Sequence, residues 1–384
     1  TGAVADRVEG AFAPKPYVRT FDTPFDPASA LLNMLGSVNG ASAEPIFRSY
    51  DTEVMGNAVV RPGEADAAVI LPVHGCPVGL AVTVDGNPWY CDLEPHKGAA
   101  LAVIEAARNL AAVGATPIGL TDCLNYGSPE DPAVYHQFAA GVRGIAEAAS
   151  RIGLRDDPKH PIPVVSGNVS FYNQSENGGA VKPSPIIAMV GTIADASRAT
   201  TLRLKDPGNA LYLVGNRYDD LGGSLYDRVV RGGMGGAPPK IRYDEERALI
   251  HFVSRFVEEG LVRSSHDISR GGALMAMAEM VIAGDPHFAK RGLRADFAPL
   301  GEEIDYERTL FGESGGFLLE IEPDVEERFR ERAHERRVAL YRLAEVTGED
   351  ALVIEGPGLA PITWTGEEMR EIHQSALAEL FPGV

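Results

Sequence analysis

Apolar positions along the chain switch between a period of two and a period near 3.6, and from Ala67 onward the two alternate. "AAVILPV" (67–73) and "GLAVTVDG" (79–86) predict strands, separated by a Gly75–Cys76–Pro77 turn. A helix is expected over about 98–113, with Leu101, Ile104 and Leu110 on its apolar side and Gly114 as its stop. "TPIGLTD" (116–122) predicts the next strand, and Asp131–Pro132 opens a helix that Gly153 closes. "IPVVS" (162–166) predicts a buried strand entering the polar stretch "GNVSFYNQSENGG", and "SPIIAMVGTI" (184–193) adds another strand. The pattern breaks at Pro207–Gly208, after which "ALYLVG" opens a second mixed unit. Helices are expected there near 244–260, 270–283, 323–338 and 366–380, with strands "FLLEIE" and "ALVIEG" between them. Residues 1–66 carry little sustained periodicity and read as a lead-in packed on the first domain. The domains then run 67–205 and 206–384, both α/β, with no internal repeat of fixed length.

Composition agrees with a globular chain: 384 residues, 45% apolar and 23% charged, enough for two or three domains. The net charge of −19 and the lack of any Lys/Arg run exclude a nucleic-acid backbone or an anionic membrane as partner. An anionic substrate must therefore be met locally, by backbone N–H groups, a few chosen cations or a metal. Three cysteines without C-x-x-C spacing give neither a disulfide framework nor a zinc site, so a reducing cytoplasm is expected. No apolar run is long enough to span a membrane, and residues 1–30 hold no basic-then-apolar leader. The start at Thr1 suggests a longer polypeptide that was cut or trimmed. H-E-x-x-H and G-x-S-x-G are absent, which removes the zinc and serine hydrolases.

Four polar loops could carry chemistry. Ser166–Gly167–Asn168–Val169–Ser170 leaves a strand: glycine permits close approach to a phosphate, the Asn amide oxygen suits Mg²⁺, and a Ser hydroxyl can donate to phosphate. An ordinary turn is the alternative. Thr121–Asp122–Cys123–Leu124–Asn125–Tyr126–Gly127 offers a carboxylate for a metal–nucleotide complex or a ribose hydroxyl, and Tyr126 a stacking face; the plain reading is an Asx turn. In His266–Asp267–Ile268–Ser269–Arg270–Gly271–Gly272, Asp267 or Ser269 reads as the cap of the following helix rather than as a catalytic group. Leu310–Phe311–Gly312–Glu313–Ser314–Gly315–Gly316 is a substrate loop or a plain turn. Gly232–Gly233–Met234–Gly235–Gly236 fits neither phosphate-loop fingerprint and reads as a mobile surface loop over 231–239.

In chain order, "DCLNYGSPED", "PVVSGNVSFYN", "HDISRGG" and "LFGESGG" make the chain resemble the large subunit of phosphoribosylformylglycinamidine synthase. "SYDTEVMGNAVVRPG" and "GAALAVIEAARNLAAVGATP" extend the likeness over nearly the whole chain. That subunit is an internal duplication, and the chain is similar to its C-terminal half. The resemblance implies a fold like aminoimidazole ribonucleotide synthetase: an N-terminal α/β domain whose sheet forms half a barrel with a pseudo-symmetric mate, plus a C-terminal α/β domain. It implies an ATP-dependent ligase of purine biosynthesis that turns formylglycinamide ribonucleotide and glutamine-derived ammonia into the amidine. ATP would phosphorylate the formamide oxygen, ammonia would displace the phosphate, and Mg²⁺ would offset the developing charge.

Matched one at a time, Asp122 and Gly167 correspond to nucleotide-binding positions, Asn168 to a magnesium ligand and Ser170 to a substrate contact. The family's catalytic histidines and most of its metal carboxylates lie in the other half, and His74, His96 and His266 are outside the motif that carries them. The isolated chain is therefore expected to be inactive. The partners implied are the missing N-terminal half, a glutaminase subunit and a small accessory subunit, with a homodimer through the barrel strands as a further possibility. The alternative is a non-catalytic scaffold half holding a structural nucleotide, and a stand-alone ATP-dependent kinase ranks behind both.

Overall fold

A computed structural model of the chain describes residues 25–175, 179–284 and 288–381. The first unit is a six-stranded sheet in the order β1-β2-β3-β8-β4-β5. Its strands are β1 (Ala58–Val60), β2 (Ala68–Ile70), β3 (Gly79–Asp85), β4 (Thr116–Asn125), β5 (Val164–Ser170) and β8 (Ser184–Ile193). β6 (Gln174–Ser175) and β7 (Gly179–Ala180) form a separate two-stranded ribbon. Only the β4–β5 pairing is parallel; the other pairings of this sheet are antiparallel.

The helices of the described chain are α1 (Pro27–Leu35), α2 (Glu44–Phe47), α3 (Pro88–Leu93), α4 (Pro95–Ala112), α5 (Pro132–Ile152), α6 (Leu225–Val229), α7 (Tyr243–Glu258), α8 (Gly272–Ile282), α9 (Tyr306–Phe311), α10 (Glu326–Arg336) and α11 (Gly366–Leu380). α5 starts where its cap predicts: Asp131 Oδ1 accepts from Ala133 N at 2.8 Å, Pro132 stands at the first position, and Gly153 ends the helix at φ 66°. α4 is built largely of alanine and buried on almost every side, which lets sheet, α5 and α7 approach it closely. A Cβ at Gly144 of α5 would lie 2.0 Å from the His96 carbonyl oxygen of α4, so only glycine fits that crossing.

The second unit is a seven-stranded sheet ordered β10-β12-β9-β13-β11-β14-β15. It comprises β9 (Ala210–Val214), β10 (Ser264–Asp267), β11 (Gly292–Asp296), β12 (Phe317–Ile321), β13 (Leu340–Thr347), β14 (Ala351–Gly356) and β15 (Leu359–Thr365). One face, with Tyr212, Phe317 and Leu319, joins the core of the first unit through α4, α7 and α10. The other, with Leu211, Leu213 and Leu318, lies under α1, α8 and α11. Where the chain crosses between units, the fully buried Glu320 carboxylate accepts from the N–H of Lys205 (2.9 Å) and Asp206 (3.0 Å), the Asn209 amide (2.6 Å) and the Ser264 hydroxyl (2.6 Å). Those bonds answer a buried charge and fix the crossing.

Two expectations change. Within the lead-in, β1 joins the first sheet, but α1 buries Leu31, Met34 and Leu35 in the second unit's core, and Trp364 Nε1 donates to its Ala28 carbonyl at 3.2 Å; residues 1–24 lie outside the described residues. The "IPVVS" strand is not buried: Ile162 is, but Val164 and Val165 are 49% and 71% exposed, because β5 is the sheet's edge. An apolar run reports the need for a cover, and among the described residues none lies over β5.

Candidate functional site

The two leading motifs stand side by side, on strands rather than in loops. β4 and β5 pair in the register Asp122–Gly167, Cys123–Asn168, Leu124–Val169 and Asn125–Ser170. Alternation then sorts the four candidate residues. Asp122 and Gly167 belong to the face that also carries the buried Leu120, Leu124 and Ile187, whereas Asn168 and Ser170 belong to the opposite, open face. The structure thus brings them to one strand pair but not to one surface, and a ligand touching all four must reach around the free edge of β5.

Gly167 gives the Asp122 carboxylate its place: a Cβ there would lie 2.4 Å from Oδ1, so the carboxylate would have to move. Among the described residues no donor reaches that carboxylate, and partial burial raises its pKa. A half-buried carboxylate without a donor is suited to a ligand hydroxyl or a metal–nucleotide complex. Ser170 Oγ lies 3.3 Å from Asn173 Oδ1, and the Asn173 amide donates to the Ser170 carbonyl at 2.8 Å, holding the strand end. Just beyond, Tyr172 sits at φ 60°, a left-handed conformation uncommon for a tyrosine, fixed by Tyr172 N donating to the Gly127 carbonyl at 3.0 Å.

Two smaller readings of this region are corrected. Tyr126 offers no stacking face: it is 1% exposed, edge-on to Phe138 at 5.5 Å, and its buried hydroxyl has no hydrogen-bond partner among the described residues. Asn125 makes no Asx turn, since its amide donates to the carbonyls of Cys123 (3.1 Å) and Ser184 (3.2 Å) within the sheet.

The HDISRGG motif does something other than cap. Asp267 ends β10, 3% exposed, and α8 begins at Gly271 with no side-chain cap. Arg108 of α4 instead bridges the units: its Nη1 donates to both Glu246 oxygens at 3.1 Å and its Nε lies 3.4 Å from Asp267. His266 Nδ1 is 2.6 Å from Asp66, and its Nε2 is 3.0 Å from Glu279. Burial disfavours the imidazolium, but Asp66 and Glu279 outweigh it and hold His266 protonated well above its ordinary range. Burial, then Asp66, push Asp267 up to about 7 against the pull of Arg108. Among the described residues, Asp66, His266 and Asp267 form the one cluster with three metal-capable side chains, their ligand atoms within 4.8 Å of one another. Their mutual hydrogen bonds make it a closed charge network. No local signal could have found it, because Asp66 is remote in sequence.

Glu313 is likewise structural. Its carboxylate accepts from Leu225 N (2.7 Å), Gly271 N (2.8 Å) and the Tyr90 hydroxyl, and Ser314 Oγ donates to Asp220 at 2.7 Å. The 231–239 loop is tied down at Gly235, whose N–H donates to Asp227 at 3.0 Å. Among the described residues, no helix is long and apolar enough to cross a membrane.

The domain families described as AIR synthase related protein, N-terminal domain and C-terminal domain, match residues 64–193 and 206–356. The chain belongs to the AIR synthase related family. Phosphoribosylformylglycinamidine synthase subunit PurL of Methanothrix thermoacetophila is 44% identical over 357 residues, which are 93% of this chain and 45% of that protein. The chain therefore spans a little under half the length of this relative. The fold is that of Thermotoga maritima PurL. The structure complexed with FGAR superposes at TM-score 0.70, 19% identity, over 90% of this chain and 54% of that one. The structure complexed with ATP gives 0.66, 20% identity, over 90% and 52%. The expected two-domain synthetase fold is thus present, with the first sheet open rather than closed into a barrel.

Proposed function

We propose that this chain is the C-terminal half of phosphoribosylformylglycinamidine synthase and lends part of an ATP- and substrate-binding site to a second, homologous half. The observation that carries this reading is the open face of the first sheet, where Asn168 and Ser170 stand among the exposed Val82, Val84 and Ile118. A sheet face of aliphatic side chains left to water marks an interface. A homologous sheet, from the missing N-terminal half or from a second copy in a homodimer, would cover it and wall in the ligand residues.

In this reading Asp122 and Gly167 contact ATP, Asn168 holds magnesium and Ser170 contacts formylglycinamide ribonucleotide. Mg²⁺ takes an octahedral oxygen set made mostly of waters and phosphates, with one or two carboxylates. One amide oxygen at Asn168 fits a share of such a set, the carboxylates coming from the other half. Bound Mg–ATP supplies the phosphoryl group for activating the formamide. The chain's own task is to bind and orient: Gly167 leaves space beside the Asp122 carboxylate, and the paired strands hold the amide and the hydroxyl on one side. Ammonia comes from a glutaminase subunit, with a small accessory subunit as a further partner, in a reducing cytoplasm.

The test is phosphate release with formylglycinamide ribonucleotide, Mg–ATP and an ammonium salt. The chain alone should be inactive, and the N-terminal half supplied in trans should restore turnover. Asn168→Ala should cut the restored rate by roughly 10²-fold, as loss of metal-site groups does. Turnover by the chain alone would overturn the reading.

A further inference from the structure

A second feature lies well away from the strand pair. α7, α10 and the segment after α5 flank a partly open cavity of about 330 Å³, lined by Arg155, Arg247, His251, Arg255, Arg332 and Arg336. Such a concentration of cations is unexpected in a chain with 35 basic against 54 acidic residues. The two acidic residues in the lining offset it only in part. Asp244 is taken by Arg247 at 3.0 Å, and Glu259 by Arg328, outside the lining, at 3.1 Å. Arg255 pairs with Asp156 at 3.0 Å, but among the described residues Arg332 and Arg336 have no acidic partner. Arg155 has a side chain only 10% exposed; Glu258 lies 2.9 Å from its Nη1 and Asp156 3.6 Å from its Nε, yet neither nitrogen has an aligned hydrogen-bond acceptor. Burial and the neighbouring Arg247, Arg155 and Arg255 together push His251 down to about 4, as a concentrated positive field would.

We propose that this cavity is a binding site for a small polyphosphorylated molecule, separate from the β4–β5 site. The buried Arg155 guanidinium, two of whose nitrogens lack an aligned acceptor, keeps a desolvation cost that an anion would remove, and the planar fork of arginine matches phosphate in a bidentate manner. The volume is at the lower end for small-molecule pockets, roughly 300–1,000 Å³, and Pro158, Phe252 and Phe256 give it an apolar wall. A recess of this volume suits a compact ligand better than a protein surface. Because Arg155 comes from the first unit and Arg332 and Arg336 from the second, an occupant would tie the two units together.

Calorimetric titration of the full chain with sodium tripolyphosphate at low salt tests this directly. Saturable one-to-one binding is expected, weakened roughly tenfold or more when Arg332→Ala and Arg336→Ala are combined, and unchanged by Asn168→Ala. Arg332 and Arg336 are exposed positions of α10, so folding should survive, with an unchanged melting temperature of the ligand-free variant as the control. A second variant, Arg336→Glu, should abolish binding. Absence of saturable binding, indifference to the arginine substitutions, or loss of binding in Asn168→Ala would each overturn the proposal.

Discussion

The centre of the seven-stranded sheet is covered on both faces, so that β9 and β12 are buried at every position, whereas the edge strand β5 of the six-stranded sheet is exposed at six of its seven positions. Both carry aliphatic side chains, and the difference lies in what covers them. Tyr212 and Phe317 meet α7 and α10 on one side, and Leu211 and Leu318 meet α1 and α8 on the other, all from this chain. Val164, Val165 and Val169 meet water. The first sheet therefore leaves Asn168 and Ser170, the proposed ligand residues, on an open face that the proposed second half would cover.

The sharpest way to break the comparison is to attack the covered side. Arg108→Ala would leave Glu246 and Asp267 buried without their cation and should cost about 3–5 kcal/mol in urea unfolding. A loss below about 1 kcal/mol would mean that water reaches the joint between the units, which would then be no tighter than the open face.

The same joint predicts a pH dependence. Asp267, raised to about 7, keeps its proton in the folded chain where the unfolded chain has lost it, so the folded state binds more protons from about pH 4 to 7. Its unfavourable contribution therefore grows as pH rises through that window. His266, with a raised folded value, contributes stability that is complete below its ordinary pKa of about 6.5 and is lost as pH rises through the raised one. Stability from this cluster should fall on going from pH 5 to 8, by at most about 1.4 kcal/mol per pH unit and proton, and Asp267→Asn should flatten that slope in urea melts.

The open side should respond differently. Gly167→Ala places a methyl against the Asp122 carboxylate and should weaken Mg–ATP binding to the assembled halves roughly tenfold, with little change in melting temperature. Smallest of all, Val165→Ala should change the stability of the chain alone by no more than about 0.5 kcal/mol. A core-sized loss at Val165 would show that β5 is already covered in solution, as in a homodimer.

Much of this contrast was legible in the sequence. The Asp131–Pro132 start, the Gly153 stop and the 184–193 strand depend on local rules and stand where those rules put them. The motif order also led to the family. Three things were not legible. "IPVVS" reads as buried because apolar runs look alike whether their cover is in the chain or outside it. Asp267 reads as a cap because Arg108 and Asp66, its real neighbours, are distant in sequence. That Asp122 and Asn168 fall on opposite faces of one strand pair appears only once the register is fixed.

The most direct measurement is a calorimetric titration of Mg–ATP into the chain, alone and after the N-terminal half is added, under conditions in which competing tripolyphosphate leaves the heat unchanged. Binding that appears or tightens at least tenfold only with the second half, and is lost in Asn168→Ala, is the predicted result. Equally tight binding to the chain alone would contradict the claim that the open sheet is half of a site.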